Sequence, residues 1–260
     1  MGEATLWGMI DAQLIVFPLV VDDLNAATLV FSAPLEATRS LVPGHLFEVL
    51  ETEPGTAQLT VAIIEYRRGS WGAYNGFSVA ARGRPVGVPD APMGAFVLPS
   101  PVSDRFGCEA AHRALGMPGS VEDIDVTTTD DRVTVEVTSE GRHAATVRIP
   151  RVPSATPPGR IETVGYSEVD GGLRSVRVDF DVPTGLVDPD EVQIELGIGR
   201  LADTLRALGL PRRPELCTWG ERLSAVFHQG ERVPAPRAER SEASDAAERS
   251  NGAEAIRMGG

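Results

Sequence analysis

The sequence contains no lysine: all 24 residues counted as Lys+Arg are arginines. A guanidinium stays protonated and is no amine nucleophile, whereas a lysine with a lowered pKa is one. Side-chain Schiff-base chemistry is therefore excluded. The only amine left is the α-amino group of Met1, at a chain terminus. Cysteine is nearly as scarce: Cys108 and Cys217 stand far apart, in no metal-like spacing. That argues against a structural zinc site or a disulfide framework and fits a reduced, cytoplasmic setting. His45, His143 and His228 are isolated, so no metal set is expected. The stretch "GIGR" lacks the full glycine pattern and the βαβ context of a dinucleotide site, and no cofactor is expected. Basic charge is short too. The net charge is −13 and the pI about 4.8, which argues against nucleic-acid partners and against adsorption to anionic membranes. The apolar run "LIVFPLVV" is too short to span a bilayer and holds a proline, so neither a signal peptide nor a transmembrane segment is expected.

What is present is a chain of 260 residues, 42% apolar, long enough for a sizeable core. "LEATRSLVPG" reads as a short helix ended near Pro43-Gly44. "AQLTVAIIEYRR" and "FSVAARG" read as strands joined by the turn "GSWGAYNG", and "GAFVLPSPV" as a third strand. A helix is expected from about 105 to 116, capped by Ser103 or Asp104. Two hairpins follow, with turns at Asp130-Asp131, Glu140-Gly141 and Gly171-Gly172. In the first, Val133, Val135 and Val137 alternate with polar residues. "LADTLRALGL" has helical spacing, and "LSAVFHQG" reads as a last short strand. From Val233 the composition turns to Pro, Ala, Ser and Glu, and a disordered tail over 233–260 is expected. Residues 1–232 then form one α+β domain dominated by antiparallel strands, a barrel or a sandwich.

The order of "ATRSLVPGHLFEV", "VAIIEYRRGSWGAYNGFSVAA", "FVLPSPVSDRFGCEAAHRALGMPGS" and "GRLADTLRALGLPRRPE" resembles the acetoacetate decarboxylase superfamily. The resemblance implies a cone-like antiparallel β-barrel flanked by a few helices, a homo-oligomer, and an active site inside the barrel. In the parent enzyme of that family one lysine forms an imine with a β-keto acid and a second lowers its pKa. Those lysines follow an aromatic residue and a proline. The corresponding stretch here is Met117-Pro118-Gly119-Ser120, which puts Gly119 at the nucleophile position and Ser120 beside it. Two family glutamates fall on Gly76 and Val61, and a third falls on Arg113. Several catalytic positions have thus changed together, and decarboxylation by the imine route is ruled out.

The remaining chemistry is carried by few side chains. Val61, Ile63 and Glu65 share one face of a period-two strand. If that face lines a cavity, Glu65 is a candidate acid–base group. The plainer reading is a strand-end glutamate paired with Arg67 or Arg68. Trp71, Tyr74 and Asn75 either close over a ligand or pack on the barrel rim. Arg105, Glu109 and Arg113 form an i, i+4, i+8 stripe, solvated by default. Arg113 is the member whose position would let it hold a carboxylate or enolate, with His112 beside it. Glu65, Arg113 and Tyr74 are the catalytic candidates. Trp71, Asn75, His112, Met117, Ser120, Val61 and Gly76 are the substrate-binding candidates. The resulting expectation is an imine-independent enzyme of bacterial secondary metabolism, working without a cofactor. It would dehydrate, enolise, cyclise or cleave a carbonyl compound of polyketide type. The alternative is a non-catalytic binder or partner subunit on the same barrel.

Overall fold

The structure is a computed structural model that describes residues 4–154 and 158–234. The expected tail lies outside the described residues from position 235 onward, as does Met1. In chain order the elements are β1 (Thr5–Ile10), β2 (Gln13–Phe17), β3 (Leu19–Pro34), α1 (Leu35–Ser40), β4 (Phe47–Val49), β5 (Glu51–Glu53), β6 (Thr56–Gly69) and β7 (Tyr74–Pro85). Then come β8 (Gly94–Val97), β9 (Ser100–Val102), α2 (Arg105–Ala110), a π-helical turn (Ala111–Leu115), β10 (Gly119–Val121), β11 (Asp123–Thr128), β12 (Arg132–Ser139) and β13 (Arg142–Pro150). The chain ends with β14 (Arg160–Val169), β15 (Gly172–Asp181), β16 (Gly185–Val187), β17 (Gln193–Leu196), α3 (Arg200–Ala207), β18 (Leu216–Phe227) and β19 (Glu231–Arg232).

Seven strands close on themselves in the order β3-β6-β7-β8-β14-β15-β18 and back to β3. Every neighbouring pair in this ring is antiparallel except β8–β14. Closure removes free edges from the wall. A separate sheet, β11-β12-β13-β17, packs on it. The hairpins follow from local chemistry. The β12–β13 turn has Glu140 and Gly141 both at positive φ, 51° and 71°, where a type I′ turn needs them. The β14–β15 turn uses Asp170 and Gly171, at 52° and 71°, one residue earlier than the sequence suggested. Asp tolerates the left-handed region, so the Asp-Gly pair takes the corner.

The alternation along the wall shows where the space is. Ala27, Leu29, Val61, Ile63, Phe77, Val79 and Trp219 are almost fully buried. They share one core with Val133, Val135, Val137 and Val147 of the second sheet and Leu205 of α3. This is the outer face, covered by the sheet and helices. Truncating one of these residues, Ile63→Ala for instance, costs about 2–5 kcal/mol. The intervening residues Thr28, Val30, Thr60, Ala62, Ser78 and Ala80 point to the inside of the wall and are only half-buried. The helix expected over 105–116 begins as foreseen, with the Asp104 side chain accepting from the Gly107 N–H at 2.6 Å. It then widens into the π turn and ends at Gly116, whose φ of 78° requires glycine.

Candidate functional site

The lumen is built from strands that only a closed wall brings together. Leu24 and Ala26 of β3, Ile64 and Tyr66 of β6, Phe180 of β15, and Leu223, Ala225 and Phe227 of β18 meet in one apolar cluster. A second cluster closes that end. It joins Phe106, Ala110, Ala114, Leu115 and Met117 to Ile10, Ile15 and Phe17 of the first hairpin, to Trp71 and Tyr74, and to Val176 and Val178. Met117 projects across the lumen toward β14, where its methyl lies 3.4 Å from the point a Cβ on Gly165 would occupy.

Two tyrosines stand out in this apolar space. Register pairs Tyr66 with Tyr74, and their rings stack with centroids 4.4 Å apart. Both rings are half-buried. Neither phenol is hydrogen-bonded to another described residue, whereas the outer-face Tyr166 donates to the Pro92 carbonyl at 2.8 Å. Burial pushes the Tyr66 phenol well above its ordinary range. Burial raises Tyr74 too, with the neighbouring Tyr66 and the Asp104 carboxylate adding to it. At neutral pH both are therefore protonated, and each offers an O–H donor rather than a base. Gly76 follows on the same face. A Cβ there would lie 3.7 Å from Tyr66 Cε2 and 3.8 Å from Val102 Cγ1, so its bare backbone leaves ring edges uncovered. Further along, Ser100 Oγ donates to the Leu98 carbonyl at 2.8 Å and lies 3.3 Å from Ser78 Oγ, whose hydroxyl can donate to it.

The other sequence candidates sit elsewhere. Glu65 shares a face with Val61 and Ile63, as expected, but that face is the covered outer one. There it accepts from the Asn25 amide at 2.7 Å. Asn75 is directly opposite Glu65 on β7, and its amide donates to the Ile124 carbonyl of β11. Period-two alternation thus separates Glu65 and Asn75 from Tyr66 and Tyr74. Trp71 is buried in the end-closing cluster, edge-on to Phe106 at 6.5 Å. His112 is exposed on the π turn. Arg113 is half exposed and pairs with Glu109 at 3.0 Å. The structure therefore does not bring Glu65, Arg113 and Tyr74 together. Tyr66 was missed, although counting back from the β6–β7 turn places it opposite Tyr74.

Gly119 has a position of its own. It lies on β10, in parallel register with Ser100 of β9. A Cβ on it would be 2.5 Å from the Ser100 carbonyl oxygen and 3.6 Å from Cys108 Sγ. The backbone has closed over the space a side chain would need. Ser120, next to it, is half-buried. Burial, then Asp104 and Glu109, push the Cys108 thiol up, which keeps it protonated and a poor nucleophile. Among the described residues no group of three or more metal-binding side chains converges.

No sequence-family profile and no curated protein sequence matches the chain. Solved structures do match it in fold. An acetoacetate decarboxylase structure superposes with a TM-score of 0.63 at 14% identity, covering 85% of this chain and 91% of that one. The acetoacetate decarboxylase of Legionella pneumophila gives 0.62 at 12%, covering 85% and 89%. An enduracididine biosynthesis enzyme, complexed with the condensation product of pyruvate and imidazole 4-carboxaldehyde, gives 0.54 at 13%, covering 85% and 91%. At such identities the likeness is one of fold: a closed seven-stranded barrel with few helices, of the acetoacetate decarboxylase type.

Proposed function

We propose that this chain is an enzyme that takes a carbonyl compound into its barrel and acts on it without forming an imine. One observation carries the reading: a stacked pair of protonated tyrosines on the lumen face, with phenols that have no partner among the described residues, in a chain without lysine. A phenol O–H aimed at a carbonyl oxygen donates a hydrogen bond that strengthens as negative charge develops there, in an apolar space where it counts most. The reactions served this way are enolisation, dehydration and cyclisation, with the walls fixing the substrate's shape. An enduracididine biosynthesis enzyme of the same fold is complexed with the condensation product of pyruvate and imidazole 4-carboxaldehyde, which supports a carbonyl substrate; a polyketide-like compound of secondary metabolism is the proposed one. Glu65 and Arg113 keep their present partners and stay outside the reaction.

The test is proton exchange. A panel of 2-oxo and 3-oxo compounds is incubated with the protein in deuterated water and followed by NMR. Enzyme-dependent exchange or conversion is expected, falling about 10²-fold in Tyr74→Phe with binding little changed. Binding without exchange for every compound supports the second reading, a binder, which the apolar lumen favours. A stable side-chain adduct after borohydride trapping with acetoacetate overturns the imine-free assignment.

We also propose a cytoplasmic homo-oligomer. Among the described residues no helix is long and apolar enough to cross a membrane. The β1–β2 hairpin presents Leu6, Met9 and Leu14, each about 60% exposed, on the face away from Ile10, Ile15 and Phe17. Cross-strand pairing of Leu6 with Val16 and of Met9 with Leu14 makes this one continuous patch, suited to a second copy.

A further inference from the structure

Arg174 of β15 and Arg232 of β19 stand directly opposite each other across an antiparallel pair. Like charges in that register repel and ordinarily cost stability. Elsewhere arginines find carboxylates: Arg84 reaches Glu48 at 3.0 Å and Arg213 reaches Asp190 at 2.6 Å. Among the described residues Arg174 and Arg232 make no side-chain hydrogen bond and no ion pair.

Their placement is supported by the backbone around them. The stem of Arg174 lies on Gly116, where a Cβ would be 2.5 Å from Arg174 Cδ. The Gly116 carbonyl is fixed in turn by the buried Ser167 hydroxyl, which donates to it. The guanidinium of Arg232 lies over Gly172, where a Cβ would be 3.2 Å from Nη2. Between the two side chains is a cavity of about 110 Å³, lined by Val169, Asp170, Gly172, Arg174 and Arg232. That is room for a few water-sized groups. Asp170 contributes one carboxylate against two guanidiniums, so the cavity keeps net positive charge.

We infer that Arg174 and Arg232 form a binding site for a small oxyanion, the phosphate or carboxylate group of a metabolite. Two arginines lining one cavity carry forked N–H donors that match such a group, and its charge offsets their repulsion. The site sits beside the Gly116 turn, at the closed end of the barrel, and does not depend on the reaction proposed for the lumen.

The full chain is titrated calorimetrically with inorganic phosphate and, separately, with acetate, against sodium chloride of equal ionic strength. One of the two anions is expected to bind at one per chain, and the better one identifies the group. Arg174→Gln and Arg232→Gln should each weaken it about tenfold or more, as expected for a lost charge-assisted hydrogen bond. Arg213→Gln should leave it unchanged. Arg232 is exposed, so Arg232→Gln should keep the fold even if Arg174→Gln disturbs the Gly116 turn. Absence of binding above chloride for both anions, or full affinity retained in a folded Arg232→Gln protein, overturns the assignment.

Discussion

Gly119→Ala is the smallest substitution that tests whether the backbone has closed over this position, which the sequence resemblance alone aligns with a nucleophile. The backbone φ of Gly119 is not in the left-handed region. On conformational entropy alone, alanine should therefore stabilise by about 0.4–1 kcal/mol through the unfolded chain. Sterics oppose this. The new Cβ would stand 2.5 Å from the Ser100 carbonyl oxygen, and that oxygen belongs to a paired strand rather than to a flexible side chain. Relief requires β9 and β10 to separate. Overpacking of this kind costs about 1–3 kcal/mol, so the net is a loss of roughly 1–2 kcal/mol. For a domain of this size that corresponds to a drop of about 2–8 °C in Tm. Gly44→Ala is the matched control, because nothing lies within 4 Å of its Cβ position. Calorimetry of both variants decides. The control should be as stable as wild type or slightly more so, and a Gly119→Ala protein as stable as Gly44→Ala would refute the reasoning. The same argument extends to Gly119→Lys, which should be destabilised further and give no borohydride-trapped adduct with acetoacetate.

Glu221 accepts from Arg151 Nε at 2.6 Å and from Trp219 Nε1 at 3.0 Å. Arg151's bond first, then Trp219's, hold its carboxyl below the ordinary range. A depressed folded pKa adds stability above the unfolded value, and that stability is lost as pH falls through the folded one. Glu221→Gln should therefore lower Tm at neutral pH and lose its deficit in acid; a pH-independent deficit would count against the linkage. Cys217 is fully buried with its thiol pushed up to about 12. In the native protein a disulfide-exchange reagent should titrate Cys108 alone, slowly at pH 7 and faster as pH rises. Leu6→Ser with Leu14→Ser should weaken self-association at least about tenfold by light scattering, given the apolar area each side chain would bury. An unchanged mass distribution would remove the hairpin from the interface.

Much of the wall was legible in the sequence because it is local. β6, β7, α3 and the β12–β13 hairpin announce themselves through period-two or helical spacing and through turn residues at fixed offsets. The first hairpin was not legible. Its turn, Asp11-Ala12 at φ 45° and 63°, has no glycine, and its apolar residues run on both faces. The helix after Asp104 was read as one element because periodicity does not distinguish an α turn from a π turn.

The candidate site divides along the same line. The absence of lysine is a fact of composition and excludes a side-chain imine in any fold. Alternation alone placed Val61, Ile63 and Glu65 on one face; the role of Tyr66, one residue further on, came only with the structure. Whether that face or the opposite one lines the lumen was decided by what packs outside, and the second sheet took the face of Glu65. The closing of Gly119 by the Ser100 carbonyl, the stacking of Tyr66 on Tyr74, and the meeting of Arg174 with Arg232 all depend on pairing across strands. A sequence specifies its own period. The partner of each face is fixed only when the barrel closes and one side is covered.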